Sequence, residues 1–409
     1  MRNVWYTRLH ALLIKRNLFM TTPVLTLPLP DLASQFNLRR DIVFLNHGSF
    51  GACPRPVIAA YRKWQDELES EPVHFFGRRR LPLLAEARAA LGKFVNADAD
   101  DVVFVPNITY GMNIVVNSLR FGPDDEILTT DHEYGAVNNT WEYHLKRYGG
   151  KIVYREIPIP MTTPEAFVEH FWAGVTPNTK AISISHITSA TALIFPIAEI
   201  IKRARAAGIL SIIDGAHVPG HIDLDLTALD PDFYAANCHK WLCAPKGAGF
   251  LYARRDKQDM LEPFVCSWNL SRHTQTGSRF TNMYENVGTN DPAPWLAVPA
   301  AIEFQHTHNW PAVRAACHAL GSQIRQEFAG ITGLTPVSDE SNLWWNQMAL
   351  CPIPTGEQYH YHRLWEEFQI EIPVVQWNGH TFLRVAIQAY NTPNDGDRLI
   401  EAVKKIIDR

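Results

Sequence analysis

Residues 234–250, YAANCHKWLCAPKGAGF, gather two cysteines, a histidine, a tryptophan and two lysines into one short loop. Three chemistries compete for it. Cys238, His239 and Cys243 could suggest a metal, but with one histidine between the thiols the ligands are too few for a closed zinc site. A lone thiol could be a nucleophile. A lysine among apolar groups has a lowered pKa, and its neutral amine can form a Schiff base with an aldehyde. Lys240, followed by Trp241 and Leu242, ends a predicted strand, whereas Lys246, ahead of Gly-Ala-Gly, reads as a solvent or phosphate contact.

Other strand ends carry polar groups too. Asp214 closes the apolar run ILSIID (209–214), so it is desolvated unless a cation meets it; Gly215 then turns the chain and brings His217 toward the same place. At VFVPNITYGMN (103–113) a helix opens at Thr109, whose hydroxyl and neighbouring N–H groups suit a phosphate; simple capping by Asn107 or Thr109 competes with that reading. TTDHEYGA (129–136) offers Tyr134, or His132, as a flat ring, and SISHITSATA (183–192) places His186, Thr188 and Ser189 after another strand.

The elements that position these residues are legible in the pattern. From about residue 41, short β-branched runs alternate with amphipathic stretches, the rhythm of βαβ units around a mostly parallel sheet, with strands expected at 101–105, 125–130, 151–157, 180–186, 209–214, 231–236 and 247–253. In such sheets ligands bind beyond the carboxyl ends of the strands. The helix AEIIKRARAAG (198–208) aligns Ile201, Ala204 and Ala207 or Gly208 on one face and stops at Gly208. After residues 291–294 come two long helical stretches, a strand at 343–350, a helix at 358–368, a strand at 381–388 and a last helix from about Asp395, a small α+β unit. The expected division is a leader and extended arm over 1–40, a large domain over 41–292 and a small one over 293–409.

Composition excludes several classes. With 409 residues, 46% hydrophobic and 20% charged, and a net charge of −4, the chain reads as an ordinary globular protein of more than one domain. Acids outnumber bases and the basic run Arg78-Arg79-Arg80 is brief, which argues against a nucleic-acid partner. No run is long enough for a membrane span, and six cysteines without repeating spacing predict a reducing, cytoplasmic setting. The basic first twenty residues read as an unstructured leader, with Met20 as a second possible start, or as a transit peptide.

One ligand makes joint sense of the strand ends. Pyridoxal 5'-phosphate needs a lysine for its aldehyde, an acid for its pyridine nitrogen, a stacking ring, and hydroxyls with a helix N-terminus for its phosphate. The motifs LNHGSFG, DGAH, NCHKWLCAPKGAGFL, ENVGTND and LRVAIQAYN resemble those of the class V aminotransferases, pyridoxal-phosphate enzymes with the type I fold: a large α/β domain with a mostly parallel seven-stranded sheet and a smaller α+β C-terminal domain. The likeness spans roughly residues 41–405. It is strongest to the isopenicillin N epimerase-like branch, which also holds C–S lyases such as hercynylcysteine sulfoxide lyase.

The resemblance implies Lys240 as the Schiff-base lysine, Asp214 as partner of the pyridinium nitrogen and Tyr134 as stacking ring. Ile108 and Thr109 match the phosphate-binding pair, Asn237 and His239 the Ser-x-His that precedes the lysine, with Asn in place of Ser. His217 matches a contact to the cofactor's 3'-oxygen, and Ser189 falls where many relatives have Asn. Gly288 and Thr289 match a pair that reaches the neighbouring subunit's phosphate, which implies a homodimer with shared sites. Arg384 matches the clamp on the substrate α-carboxylate, and Asn46, His47 and Arg79 are expected at the substrate mouth.

Loss of the α-proton to the Lys240 amine is common to several reactions. Epimerisation is the family reading and C–S lysis its close competitor, with transamination third; a non-catalytic amino-acid sensor is the alternative from another class. Epimerisation wants a second acid on the far face, with Tyr134, His132 or His47 as candidates, and a β-lyase needs none. Desulfuration through a persulfide is disfavoured, because no cysteine lies between Cys351 and Arg384.

Overall fold

The computed structural model describes residues 32–270, 277–354 and 360–407. The expectation for residues 1–31, and the first two residues of the helix expected at 358–368, fall outside that range. At the centre lies a seven-stranded sheet in the order Val102–Val105, Gly249–Ala253, Phe233–Asn237, Leu210–Asp214, Thr179–Ser185, Glu126–Thr130, Lys151–Arg155. All neighbours are parallel except Gly249–Ala253, which runs against both of its partners.

Helices cover both faces, so the inner strands read as apolar runs rather than alternations. Val102–Val105, Phe233–Asn237 and Gly249–Ala253 are buried at every position, while the edge strand Lys151–Arg155 is not. Each predicted strand appears within a few residues of its expected bounds. The helix Ile197–Ala206 buries Ile197, Ile200, Ile201 and Ala204, so its apolar face starts a turn earlier than expected, and Ala207 and Gly208 are exposed. Gly208 does end it, with φ +70°.

The C-terminal part packs three antiparallel strands, Val374–Trp377, His380–Ala386 and Met348–Ile353, against the long helix Trp310–Thr332. The strand expected from residue 343 begins only at Met348, because Trp344 and Trp345 are buried in the preceding turn. Pro352 is tolerated because its strand is at the sheet edge. The run EIPVVQW, to which the sequence pattern assigns no element, supplies the outer strand Val374–Trp377. Short strands Val43–Phe44 and Ile370–Glu371 pair in parallel, and Ala386 N–H donates to Leu45 O, so the loop LNHGSFG is tied to the small sheet.

Candidate active site

At the carboxyl ends of the central strands a cavity of about 360 Å³ opens, within the size range of small-ligand sites. Nine sequence-predicted residues line it: Ile108, Thr109, Tyr134, Ser189, Asp214, His217, Asn237, His239 and Lys240. Ser49, Phe50 and Lys246 also line it.

Lys240 follows the strand Phe233–Asn237 in a turn closed by Cys243 N–H to Lys240 O and Ala244 N–H to Cys238 O, both at 3.0 Å. The turn has no room beside it. At Gly51 (φ +71°) a Cβ would fall 2.2 Å from His239 O, so only glycine lets the N-terminal loop pass the lysine loop. Lys246 Nζ fastens the two by donating to Gly51 O at 2.7 Å.

Lys240 Nζ lies 3.0 Å from His217 Nε2. Burial, reinforced by the Arg384 charge, pushes its pKa down to about 7, with Asp214 pulling the other way. Asp214 is 3% exposed; burial raises its carboxyl to about 6 against the opposing Ala216 N–H, donated at 2.8 Å, and the Lys240 charge. An acid and an amine thus face one pocket with pKa values drawn toward each other, a recognised signature of functional sites. Gly215 is required behind them, since a Cβ there would meet the Tyr234 ring at 2.0 Å, and the Tyr234 hydroxyl in turn holds His186 Nδ1 at 3.0 Å.

The opposite end of the cavity is an anion cradle. Helix Ile108–Ser118 points its N-terminus at it, with Asn107 accepting from Tyr110 N–H. Asn237 Oδ1 accepts the Ile108 N–H at 2.9 Å, which leaves its Nδ2 to donate to an anion. The Thr109 hydroxyl and N–H take no partner among the described residues. His239 donates Nδ1–H to Ala248 O at 3.1 Å, and burial lowers it to about 4, so the ring is neutral at neutral pH.

Arg384, central in its strand, stands one layer behind the wall. Its Nη1 donates to Ser189 O at 2.5 Å and lies 3.3 Å from Ser189 Oγ, its Nη2 donates to Ser49 Oγ at 3.0 Å, and its buried Nε has no partner. Burial pushes even this guanidinium down to about 10. Ser49 was missed in the sequence because a serine in a short HGSF turn carries no signal of its own.

Six residues singled out in the sequence lie elsewhere. Asn46 is behind Ser49: it accepts the Ser49 hydroxyl at 2.5 Å and donates to Glu371 at 3.0 Å, so it acts through Ser49 rather than lining the mouth. His47 is fully buried beneath the lysine turn, bonded to Lys240 O at 3.0 Å and the Tyr390 hydroxyl at 2.9 Å. Arg79 pairs with Glu67 on the preceding helix. Gly288 and Thr289 are outside the pocket wall of their own chain. His132, weighed as a far-face acid, is buried between Thr191 and Ile157 O against Trp377.

The pocket fits pyridoxal phosphate: an amine for the aldehyde, a buried carboxylate, an exposed ring at Tyr134, unpartnered donors at a helix N-terminus, and an orphaned guanidinium nitrogen. Fold and site together define a pyridoxal-phosphate enzyme of the type I fold. The family model described as Aminotransferase class-V matches residues 43–399, and the chain belongs to that family. It is similar to isopenicillin N epimerase of Amycolatopsis lactamdurans (33% identity; 91% of this chain and 97% of that protein) and of Streptomyces clavuligerus (34%; 88% and 94%). A probable L-cysteine desulfhydrase, chloroplastic, of Arabidopsis thaliana is 26% identical over 90% of this chain and 83% of its own. The fold recurs in a cysteine desulfurase of Escherichia coli (TM-score 0.77, 22% identity, 92% of this chain and 98% of that one) and in the cystine C–S lyase C-DES (TM-score 0.77, 20%, 89% and 98%).

Among the described residues no helix is long and apolar enough to cross a membrane, and no cluster of His, Cys, Asp and Glu could hold a metal ion. Cys238 and Cys243 are wholly buried, and burial raises both thiols. They are packing groups.

Proposed function

We propose that this enzyme removes the α-proton of an amino acid, or of a peptide-like substrate with a free α-amino acid end, and returns it on the other face. The observation that carries the reading is the Lys240 amine, lowered to about 7, set 3.0 Å from His217 with Asp214 buried beside it. Pyridoxal phosphate, when bound, supplies an electron sink for the α-carbon. Lys240 holds the cofactor and then, as a free amine, takes the α-proton. Asp214 keeps the pyridine nitrogen charged, Thr109, Asn237, His239 and Lys246 receive the phosphate, and Arg384 with Ser49 and Ser189 orients the α-carboxylate. The relatives at 33–34% identity, named epimerases, support this reading.

C–S lysis is the second reading, and one observation favours it. Of the three far-face acids considered, only Tyr134 lines the pocket, since His47 and His132 are buried away from it. Epimerisation therefore depends on Tyr134, whereas β-elimination needs no far-face acid; relatives named desulfhydrases support this alternative. Transamination ranks third. A persulfide route lacks a thiol at the pocket: Cys351 lies wholly buried in its strand and is pushed up to about 12.

We also propose a cytoplasmic homodimer. All six cysteines are unpaired, as in a reducing compartment. Gly288 and Thr289 would reach a phosphate only in a partner's pocket, and Phe50, on the pocket wall yet 72% exposed, suits a subunit contact. A panel of amino acids incubated in deuterium oxide decides the reaction. Deuterium at the α-carbon with loss of optical purity supports epimerisation, pyruvate supports lysis, and a protein that cannot take up the cofactor would sink both.

A further inference from the structure

We propose that Trp241 is a positioning residue whose hydrogen bond fixes the protonation pattern of His217, so that His217 presents Nε2–H to the Lys240 amine and holds that nitrogen as the free base. The partner at each ring nitrogen sets which one carries the hydrogen. Gln347 N–H donates to His221 Nε2 at 2.9 Å. A carbonyl oxygen only accepts, so His221 Nδ1 carries the hydrogen it shares with His217 O at 3.0 Å. An indole nitrogen only donates, so His217 Nδ1 accepts from Trp241 Nε1–H at 3.2 Å.

A neutral imidazole that accepts at Nδ1 carries its hydrogen on Nε2, the atom 3.0 Å from Lys240 Nζ. An ammonium there would set two donors face to face. The remaining groups facing Lys240 are Asp214, which favours the ammonium, Arg384, which opposes it, and the neighbouring His239. With burial on the side of Arg384, the geometry and the field agree.

The indole cannot swing out of this role. Its ring is stacked on His221 with centroids 4.1 Å apart, and its carbonyl accepts Gln305 Nε2 at 2.7 Å. At Gly220 (φ +85°) a Cβ would fall 2.5 Å from that carbonyl, so the turn bearing both histidines is pressed against Trp241. The inference rests on the proposed function only in taking Lys240 as the reactive amine; the protonation pattern belongs to the chain itself.

The test is ¹⁵N NMR of the full chain labelled in its histidine rings, before and after loading with pyridoxal phosphate, with His217→Gln identifying the His217 signals. The expected result is an unprotonated Nδ1 and a protonated Nε2 through neutral pH; the opposite tautomer, or an imidazolium, overturns the proposal without any other variant. Trp241→Phe keeps the ring on His221 and removes the donor. In the cofactor-free form of that variant, where Lys240 is a free amine, the pH midpoint for its modification by an amine-reactive reagent, located by peptide mass spectrometry, is expected to rise by about one unit. An unchanged midpoint with unchanged His217 shifts also overturns it. Failure to take up cofactor would instead overturn the proposed function and leave the tautomer standing.

Discussion

Asn237 Oδ1 accepts the Ile108 N–H at 2.9 Å, which clamps the strand that delivers Lys240 to the helix whose N-terminus faces the anion cradle. Both ends of a cofactor are therefore indexed to one side chain. Asn237→Ala leaves a buried N–H without a partner, and is expected to lower stability by about 1–3 kcal/mol and to weaken cofactor affinity. Urea unfolding and a pyridoxal-phosphate titration measure the two; unchanged affinity would separate the clamp from the cradle.

Lys240→Ala removes the pocket amine placed beside His217. The visible absorbance of covalently held cofactor is expected to vanish, and turnover to fall by about 10³-fold or more. Phosphate contacts persist, so the variant is expected to retain cofactor that gel filtration under denaturing conditions releases. Retained covalent cofactor would move the role to Lys246.

Two opposed shifts at the site contribute to the pH dependence of stability in the cofactor-free chain. Lys240 is lowered from 10.5 to about 7, so across that window the unfolded state binds more protons and stability rises with pH. Asp214 is raised from 3.8 to about 6, so across its window the folded state binds more protons and stability falls as pH rises. The Asp214 fall lies below about 6 and the Lys240 rise above about 7. Denaturant midpoints over a pH series test this, and Lys240→Met is expected to remove the rise on the alkaline side; an identical slope in the variant refutes the assignment.

Tyr134→Phe distinguishes the two reactions. With the phenol as the only far-face acid on the pocket wall among those considered, the variant is expected to lose epimerisation by about 10²-fold or more while β-elimination changes little. Chiral chromatography and a pyruvate assay on one sample read both. Unchanged rates of both reactions would mean that Tyr134 serves by stacking alone, since phenylalanine keeps the ring.

Gly215→Ala forces a methyl into the Tyr234 ring directly behind Asp214. The core cannot absorb it, since Tyr234 is wholly buried. A loss of about 1–3 kcal/mol in unfolding free energy is expected, with a displaced Asp214 and weaker cofactor binding. A variant as stable as the parent would show that the Tyr234 ring has room to move.

The sequence by itself determined the sheet and the strand-end residues. Strands buried on both faces must be continuous apolar runs, and ligand groups in such sheets fall just beyond them, so Asp214, His217, Asn237 and Lys240 could be picked out by position. The motifs supplied the class of cofactor. What only the tertiary structure decided depends on contacts between segments far apart in the chain. Ser49 reaches Arg384 across 335 positions, and His47, in the same turn, goes under the lysine loop instead of into the mouth. The His217 tautomer is set by Trp241, because the direction of a hydrogen bond is a property of two groups brought together by the fold.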